Sequence, residues 1–522
     1  MKSAKILTIF LILLIILPIV PINKANAEVE TIRFYDQNLY NEIKESLDKK
    51  EIEYTCNDTN FDITVDASQV EYLYLYRGKY NSLTGLEHFT NLTELYISDY
   101  AMTDEQKELI GNNLTKLEKL TLVQIKGDLN AFGKLTNLKS LIIRNGQALD
   151  NIEPLKNLVN LEELSIEFKT IVDISPIKDL VKLKKLCLIG NRVSDLTPLK
   201  KLINLEELDL SNNSILSNIE PIGNLTNLKK LYLDTNRIKN VDALKPLKSL
   251  IRLTLDWNNI TDISSLEDMK ELEYFSATNN QINSIDALKN ATKLEALYLA
   301  NNKVSDISML DKHTNLKYLS LSKNCISDIS ALDNLSEDIS LAVHEQTFEV
   351  EVPISGNNMN ISMELPQIFT EVLDPTSRFN FANMTNKIAP WENFNPADYS
   401  TDKIVVSDEN KAEIDGFNIN FKNVSVGDTV ELEITDGYSQ EYGNTKSHVT
   451  YKFVEPKAIL GDVNDDGKIN QKDAKLVLKA FAGKTELTEN QTLAADVNKD
   501  EKINQKDAKL ILKYFAGKIT GF

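Results

Sequence analysis

Between Leu92 and Leu335 one short phrase is rewritten again and again, and it bounds every fold that this chain can adopt. Leu183-Lys-Lys-Leu186-Cys-Leu188-Ile-Gly-Asn191-Arg-Val193-Ser-Asp195-Leu196-Thr-Pro-Leu199 is answered by Leu205-Glu-Glu-Leu208-Asp-Leu210-Ser-Asn-Asn213, and the phrase returns from Leu228, Leu250, Leu272, Leu294 and Leu316. Worn copies begin at Val70, Leu92, Leu117, Leu138 and Leu161. Self-similarity at about 22 residues is the mark of a solenoid.

Alternating Leu186 and Leu188 point inward from a short strand, and Leu183, Val193, Leu196 and Leu199 fill the same core from the returning arm. One such unit cannot bury its apolar face. Stacked neighbours can, and their strands then form a parallel sheet on the concave side of a curved array. The turn residues Asn191, Asn213, Asn236, Asn258, Asn280, Asn302 and Asn324 can bond the backbone groups that a tight bend leaves unpaired, so they read as structural. Period and spelling together are those of a leucine-rich repeat. The longer phrase at Asn302-Lys-Val-Ser-Asp306-Ile307-Ser-Met-Leu310, and again at Ile171-Val-Asp173-Ile174-Ser-Pro176-Ile177, resembles the repeat of the bacterial internalins. That resemblance implies a horseshoe with short 3-10 turns on its back, and a role in binding a macromolecule rather than transforming one.

The chain has 522 residues, enough for several domains. Residues 1–27 read as a secretory signal peptide: Lys2 and Lys5, an apolar run from Ile6 to Leu17, then Ala25-Asn26-Ala27 before Glu28. A retained anchor is the alternative, although the run is short for a membrane span, and no second apolar stretch of that length follows. The mature protein is therefore expected outside the cell, with no membrane span. Net charge is −19, which speaks against nucleic acid or an anionic membrane as partner. Cys187 and Cys325 lie about six repeats apart along a rigid array and Cys56 lies in the N-terminal cap; an odd count rules out a complete disulfide framework, and the three read as unpaired. Residues 28–69 lack the repeat. Leu39, Ile43 and Leu47 have helical spacing and Phe61 to Val65 alternates, as an N-terminal cap over residues 70–335 would.

Side chains between the inward leucines would face the concave groove. Phe168, Tyr232, Trp257, Tyr274, Tyr298 and Tyr318 are assigned there, among Asp209, Asp234, Asp256, Arg252, Glu273, Glu295 and Lys317. Aromatic anchors in a polar surround suit recognition of a protein or glycan, while tyrosine is also an ordinary strand residue.

From residue 336 to 456 the leucine rhythm gives way to alternation, as in Phe348-Glu-Val350-Glu-Val352, Val430-Glu-Leu432-Glu-Ile434 and Val449-Thr-Tyr451-Lys-Phe453. Turn signals at Ser355-Gly356, Asp374-Pro375, Asp415-Gly416 and Gly427-Asp428 separate the runs, which predicts a β-sandwich. Its place is similar to that of the immunoglobulin-like domain that closes an internalin array.

Residues 457–522 hold a duplicated loop. Asp462, Asn464, Asp466, Asn470 and Asp473 supply oxygens at positions one, three, five, nine and twelve; Lys468 offers a carbonyl and Gly467 a sharp turn, as a calcium loop requires. Asp496, Asn498, Asp500, Lys502, Asn504 and Asp507 repeat the set, and an apolar helix is expected after each. Asp at position twelve and a single helix per loop resemble a type I dockerin, a small all-α module of cellulosomal proteins. The resemblance implies two Ca2+ ions and docking onto a cohesin of a scaffoldin through Gln471, Lys472, Gln505 and Lys506, with identical pairs allowing either orientation. Glu501 stands where the first loop has Gly467, so the second site is expected to be weaker.

The leading reading is a secreted, non-catalytic protein that presents a repeat groove from a scaffold. A scaffold-independent adhesin is one alternative. The other is a polysaccharide-degrading enzyme, whose carboxylate pair only the β region could hide.

Overall fold

The structure, a computed structural model, describes residues 29–368 and 404–522 except 79, 100–101, 145–148, 150, 169, 337, 355–357, 416–417, 440–442, 455–457 and 465. The signal segment and the turns at Ser355-Gly356 and Asp374-Pro375 lie outside these residues, as does Gly416 of the Asp415-Gly416 turn. Two compact units divide between Leu216 and Ser217.

The first unit opens with the cap. Strands Glu30–Arg33, Asp62–Val65 and Tyr54–Asn57 form an antiparallel sheet, with Asp62–Val65 in the middle. Helix α1, Gln37–Lys49, starts at Asp36, whose Oδ1 accepts the Leu39 N–H at 3.0 Å. Its buried face is Leu39, Tyr40, Ile43 and Leu47. The other Asp36 oxygen accepts the Asn81 N–H at 2.8 Å, which ties the cap to the first repeat. Strands Tyr72–Gly78, Glu94–Asp99, Lys119–Val123, Ser140–Arg144, Glu163–Ile166, Lys185–Cys187 and Glu207–Asp209 then pair in parallel, each with the next. A true helix, α2 (Asp104–Asn113), stands on the back in one early repeat, started by a capping box of Thr103 and Gln106.

Elsewhere the backs are 3-10 turns, and the repeated phrase explains why. Asp173 and Asp195 accept the N–H two residues on, at 2.8 and 2.9 Å, which opens the turn. Pro154, Pro176 and Pro198 then fix φ at its first positions. Each turn is too short to become an α-helix before the next inward leucine bends the chain back.

The second unit continues the pattern in strands Lys230–Tyr232, Arg252–Thr254, Tyr274–Ser276, Ala296–Tyr298, Tyr318–Ser320 and Ser340–Ala342, again parallel. The last of these lies beyond Leu335, where the leucine rhythm alone would end the repeats. Gln346 fills the turn-asparagine role for it, donating to the Leu321 and Val343 carbonyls at 2.9 Å each and accepting the Ile326 N–H at 3.0 Å. One extra methylene leaves the amide in reach, so the ladder runs one step further than its spelling.

A two-sheet β domain follows. One sheet has the order Thr347–Pro353, Gly443–Val454, Thr429–Ser439, Ile404–Val406; the other has Met359–Glu364, Asn418–Val424, Ala412–Asp415. Thr347–Pro353 pairs parallel to Gly443–Val454, and the other pairs are antiparallel. Phe421 of the second sheet meets Tyr451 and Phe453 of the first at ring centroid distances of 5.0 and 4.9 Å, so the sheets face each other across one core.

The tail holds helices α3 (Gln471–Phe481), α4 (Glu489–Ala495) and α5 (Gln505–Phe515). Their shared core is small: Val463, Ala474, Val477, Ala494, Ala495, Val497, Ala508 and Ile511. Phe522 lies against Tyr514 and over Gly461, where a Cβ would come within 2.6 Å of its ring. Cys56, Cys187 and Cys325 form no disulfide. No described helix is long and apolar enough to cross a membrane.

Candidate functional site

Two places carry the candidate residues. On the strand face of the second unit, register places Tyr232, Thr254, Ser276, Tyr298 and Ser320 in one lane and Arg252, Tyr274, Ala296 and Tyr318 in the next. Tyr274 and Tyr298 therefore touch, with centroids 5.5 Å apart, and the Arg252 guanidinium lies 3.8 Å over the Tyr274 ring. Burial pushes both phenols above their ordinary range. Tyr318, by contrast, is half exposed.

The polar surround is largely spoken for. Asp234 accepts the Thr254 hydroxyl at 2.6 Å and the Asp256 N–H at 2.8 Å, and Asp256 accepts from the Ser276 hydroxyl and the Thr278 N–H at 2.6 Å each. Burial raises the Asp256 carboxyl, against those two bonds. Lys317 pairs with Glu295 at 2.8 Å. These acids hold successive strands together, so an incoming ligand meets rings and hydroxyls first.

Trp257 and Phe168 are not between inward leucines. Each sits just past its strand with φ near +55°, at 55° and 53°, where the repeats also place Asn212, Asn279 and Asn301. A left-handed backbone suits asparagine; under a bulky aromatic it is an outlier. The repeat imposes that backbone whatever the residue, as at Gln124, Thr235 and Lys323, and the Trp257 N–H donates to the Thr278 carbonyl at 2.8 Å; the ring itself is left 64 % exposed. Phe168 belongs to the first unit, where its ring lies over Gly190.

The first unit also carries aromatics that the groove assignment omitted. Tyr74 and Tyr76 are stacked with centroids 6.1 Å apart, and Tyr96 approaches Tyr76 at 5.0 Å. Tyr74 donates to Glu94 at 2.7 Å, and the Lys50 ammonium lies over Tyr72. The alternation Tyr72-Leu-Tyr-Leu-Tyr76 was the signal for this patch.

In the tail the two loops fold alike. Asp462 accepts the Asp466 and Gly467 N–H groups at 3.1 and 2.8 Å, and Asp496 accepts those of Asp500 and Glu501 at the same distances. Asn470 and Asn504 cap α3 and α5 and donate to the Lys468 and Lys502 carbonyls at 3.0 Å. Asn464 and Asn498 each accept the N–H two residues on, at 3.1 and 2.9 Å. Asp473 and Asp507 are wholly buried, and Asp507 Oδ1 has no hydrogen-bond partner. A buried, unpaired carboxylate oxygen at the twelfth position of a loop with calcium-loop spacing fits a calcium ion.

Glu501 has φ of 60° against 74° at Gly467, so the second loop does hold a side chain in the left-handed region. Glu501→Gly is expected to relieve about 1 kcal/mol of that strain, tightening calcium at the second loop and raising the thermal stability of the tail. Calorimetric titration of both proteins checks it; equal affinity of the two wild-type loops, or no gain on substitution, would show the strain to be absent.

Gln471, Lys472, Gln505 and Lys506 open the first turns of α3 and α5. Further along the same helices lie exposed apolar side chains at matching places: Leu478 and Leu512, both 41 % exposed, and Phe481 and Phe515, 52 % and 50 % exposed. Core packing does not use them, and their symmetry follows the duplication.

Comparison with known proteins agrees with this division. The type I dockerin domain family matches residues 460–516, and leucine-rich-repeat families match 203–246, 226–282 and 292–334. An internalin, InlF of Listeria monocytogenes, is similar at 27 % identity and TM-score 0.50, over 59 % of this chain and 95 % of its own. Internalin C2 of the same species shares 39 % identity over 36 % of this chain and 82 % of its own, with TM-score 0.35. No curated protein matches the chain.

Proposed function

We propose that this chain, an internalin-like leucine-rich-repeat protein with a C-terminal type I dockerin domain, is a secreted binding protein that presents its repeat face from a cellulosome-type scaffold. Both kinds of matched domain are non-catalytic binding modules. The observation that carries the reading is the tail: two matched loops whose helices α3 and α5 each leave a leucine and a phenylalanine in solvent. An exposed apolar pair on the helix that Gln471-Lys472 opens, and its copy on the helix that Gln505-Lys506 opens, suits a protein partner such as a cohesin.

Calcium is the expected resident of both loops, held by Asp462, Asn464, Asp466, Lys468, Asn470 and Asp473 in the first and by Asp496, Asn498, Asp500, Lys502, Asn504 and Asp507 in the second. Bound, it would neutralise the clustered carboxylates and supply folding free energy that so small a core lacks. The chain's own part is to fix the loop backbones and to launch α3 and α5 from the Asn470 and Asn504 caps, which sets the spacing of the exposed faces. Capture of the full chain on an immobilised cohesin panel should occur in calcium and vanish in chelator. Capture by no cohesin would leave the scaffold-independent adhesin as the reading.

The repeat face is the ligand-binding part, with Tyr274, Tyr298, Tyr318 and Trp257 as its anchors and a protein or glycan as its ligand. Trp257→Ala and Tyr298→Ala are each expected to cost about 1–3 kcal/mol of binding, as aromatic anchors do. The check is affinity for whatever the full chain retains from culture supernatant; larger losses from reversing the outlying charges than from these two would displace the anchor assignment.

A further inference from the structure

We infer that the two calcium loops are unequal partners in folding: the second, through Asp507, is the element that cannot keep its shape without the ion, while the first holds its shape on protein contacts. This inference rests on the calcium reading above.

The two loops are nearly the same text. Lys-Ile-Asn-Gln-Lys-Asp-Ala-Lys-Leu is identical in both, from Lys468 and from Lys502, and each loop carries four acidic residues: Asp462, Asp465, Asp466 and Asp473 against Asp496, Asp500, Glu501 and Asp507. Charge repulsion does not make the second loop the weaker, since Lys499 gives it three lysines to the first loop's two. Hydrogen bonding does. The first loop's last carboxylate is fully engaged, with Asp473 Oδ1 accepting the Asn464 N–H at 3.0 Å and Oδ2 accepting the Asn470 N–H at 2.8 Å. In the second, Asp507 Oδ2 accepts the Asn504 N–H at 2.9 Å, while Oδ1 is buried with nothing to accept from. Both side chains are wholly enclosed.

A buried carboxylate oxygen without a donor destabilises the structure that encloses it unless a cation takes the donor's place. In the first loop a backbone N–H already does so. The strained left-handed backbone at Glu501 lies in the same second loop, so both costs fall on one side of the module. The empty tail should therefore loosen from Asp496 through α5, with the first loop and the start of α3 retained longest.

Asp507→Asn and Asp473→Asn test this by the sign of their effects in the full chain, read as amide hydrogen exchange of α3 and α5 with and without chelator. Neutralising Asp507 removes an uncompensated buried charge when the ion is absent and a ligand when it is present. Asp507→Asn should thus slow exchange of α5 in chelator and speed it in calcium, each by about tenfold, the order expected for one uncompensated buried polar group. Asp473→Asn weakens two backbone hydrogen bonds when the ion is absent and removes a ligand when it is present, so it should speed exchange in both. Wild-type α5 should also exchange faster than α3 in chelator. Calcium-responsive exchange in which Asp507→Asn and Asp473→Asn change in the same sense in chelator overturns this inference alone. Exchange of the wild-type tail that ignores calcium overturns the calcium reading as well.

Discussion

A chain cut after Leu335 is expected to aggregate, whereas one cut after Val454 is expected to stay monomeric and to melt cooperatively. Leu335 is where the leucine spelling ends, and it is the natural place to separate an array for binding studies. The fold places the end of the array elsewhere. Ser340–Ala342 adds a parallel strand to Tyr318–Ser320, and Gln346 completes the asparagine ladder beneath it. The β domain then grips that residue from the far side: the Gln346 N–H donates to Ser447 Oγ at 2.6 Å and its carbonyl accepts the His448 N–H at 2.8 Å. Two more bonds cross at the back, from Ile329 N–H to Gln367 Oε1 at 2.7 Å and from Ile368 N–H to the Ser327 carbonyl at 3.1 Å. A cut at Leu335 removes all of these and bares the edge of Tyr318–Ser320, together with Leu319, Leu321, Ile326 and Ile329, each now at most 1 % exposed. Uncovering one such side chain costs about 1.5–3 kcal/mol, and an unpaired strand edge beside them is a template for association. Light scattering behind size exclusion decides the matter. A monodisperse, cooperatively melting chain ending at Leu335 would show that the β domain is not the cap of the array.

The repeat was legible because its period forces one residue type into one environment each time: leucine where the core is, asparagine where the bend leaves backbone groups unpaired. Tertiary context supplied the rest. Gln346 does an asparagine's work, but the residues after it alternate, so its neighbourhood spells a sandwich strand before the array has ended. Trp257 and Phe168 take a left-handed backbone that no letter marks, since asparagine is the usual sign of that position. Tyr72, Tyr74 and Tyr76 lie in a worn copy whose leucines drew the reading inward, away from the face that the tyrosines form. The difference between Asp473 and Asp507 is invisible in principle to a motif. Their flanking letters are identical, and only the donor available to each Oδ1 separates them.

Asn302→Leu is expected to destabilise the second unit by about 2–3 kcal/mol, the upper end of the cost of one buried donor losing its partner, with two carbonyl bonds weakened beside it. Asn302 Nδ2 donates to the Ala277 and Leu299 carbonyls at 2.9 and 3.0 Å, and Oδ1 accepts the Ile282 N–H at 2.9 Å. The side chain therefore closes its own turn and joins it to the preceding repeat. Leucine has nearly the same volume, so the substitution leaves no cavity to blame; what it leaves is the buried Ile282 N–H without its acceptor, while the Ala277 and Leu299 carbonyls each keep one donor, Asn280 Nδ2 at 3.1 Å and Asn324 Nδ2 at 2.9 Å. Asn315→Leu is the matched control. That asparagine also bonds the previous repeat, to the Thr292 carbonyl at 2.8 Å, but in solvent, where water can replace it. Its loss should cost under about 1 kcal/mol, as a hydrogen bond exchanged with water does. Since each repeat is held mainly by its neighbours, the damage from Asn302→Leu should also be local and split urea unfolding into two steps. Equilibrium unfolding of the three proteins, followed by circular dichroism, measures both effects. Equal losses for Asn302→Leu and Asn315→Leu would mean that the buried ladder contributes no more than its exposed counterpart, and that leucine packing alone sets the stability of the array.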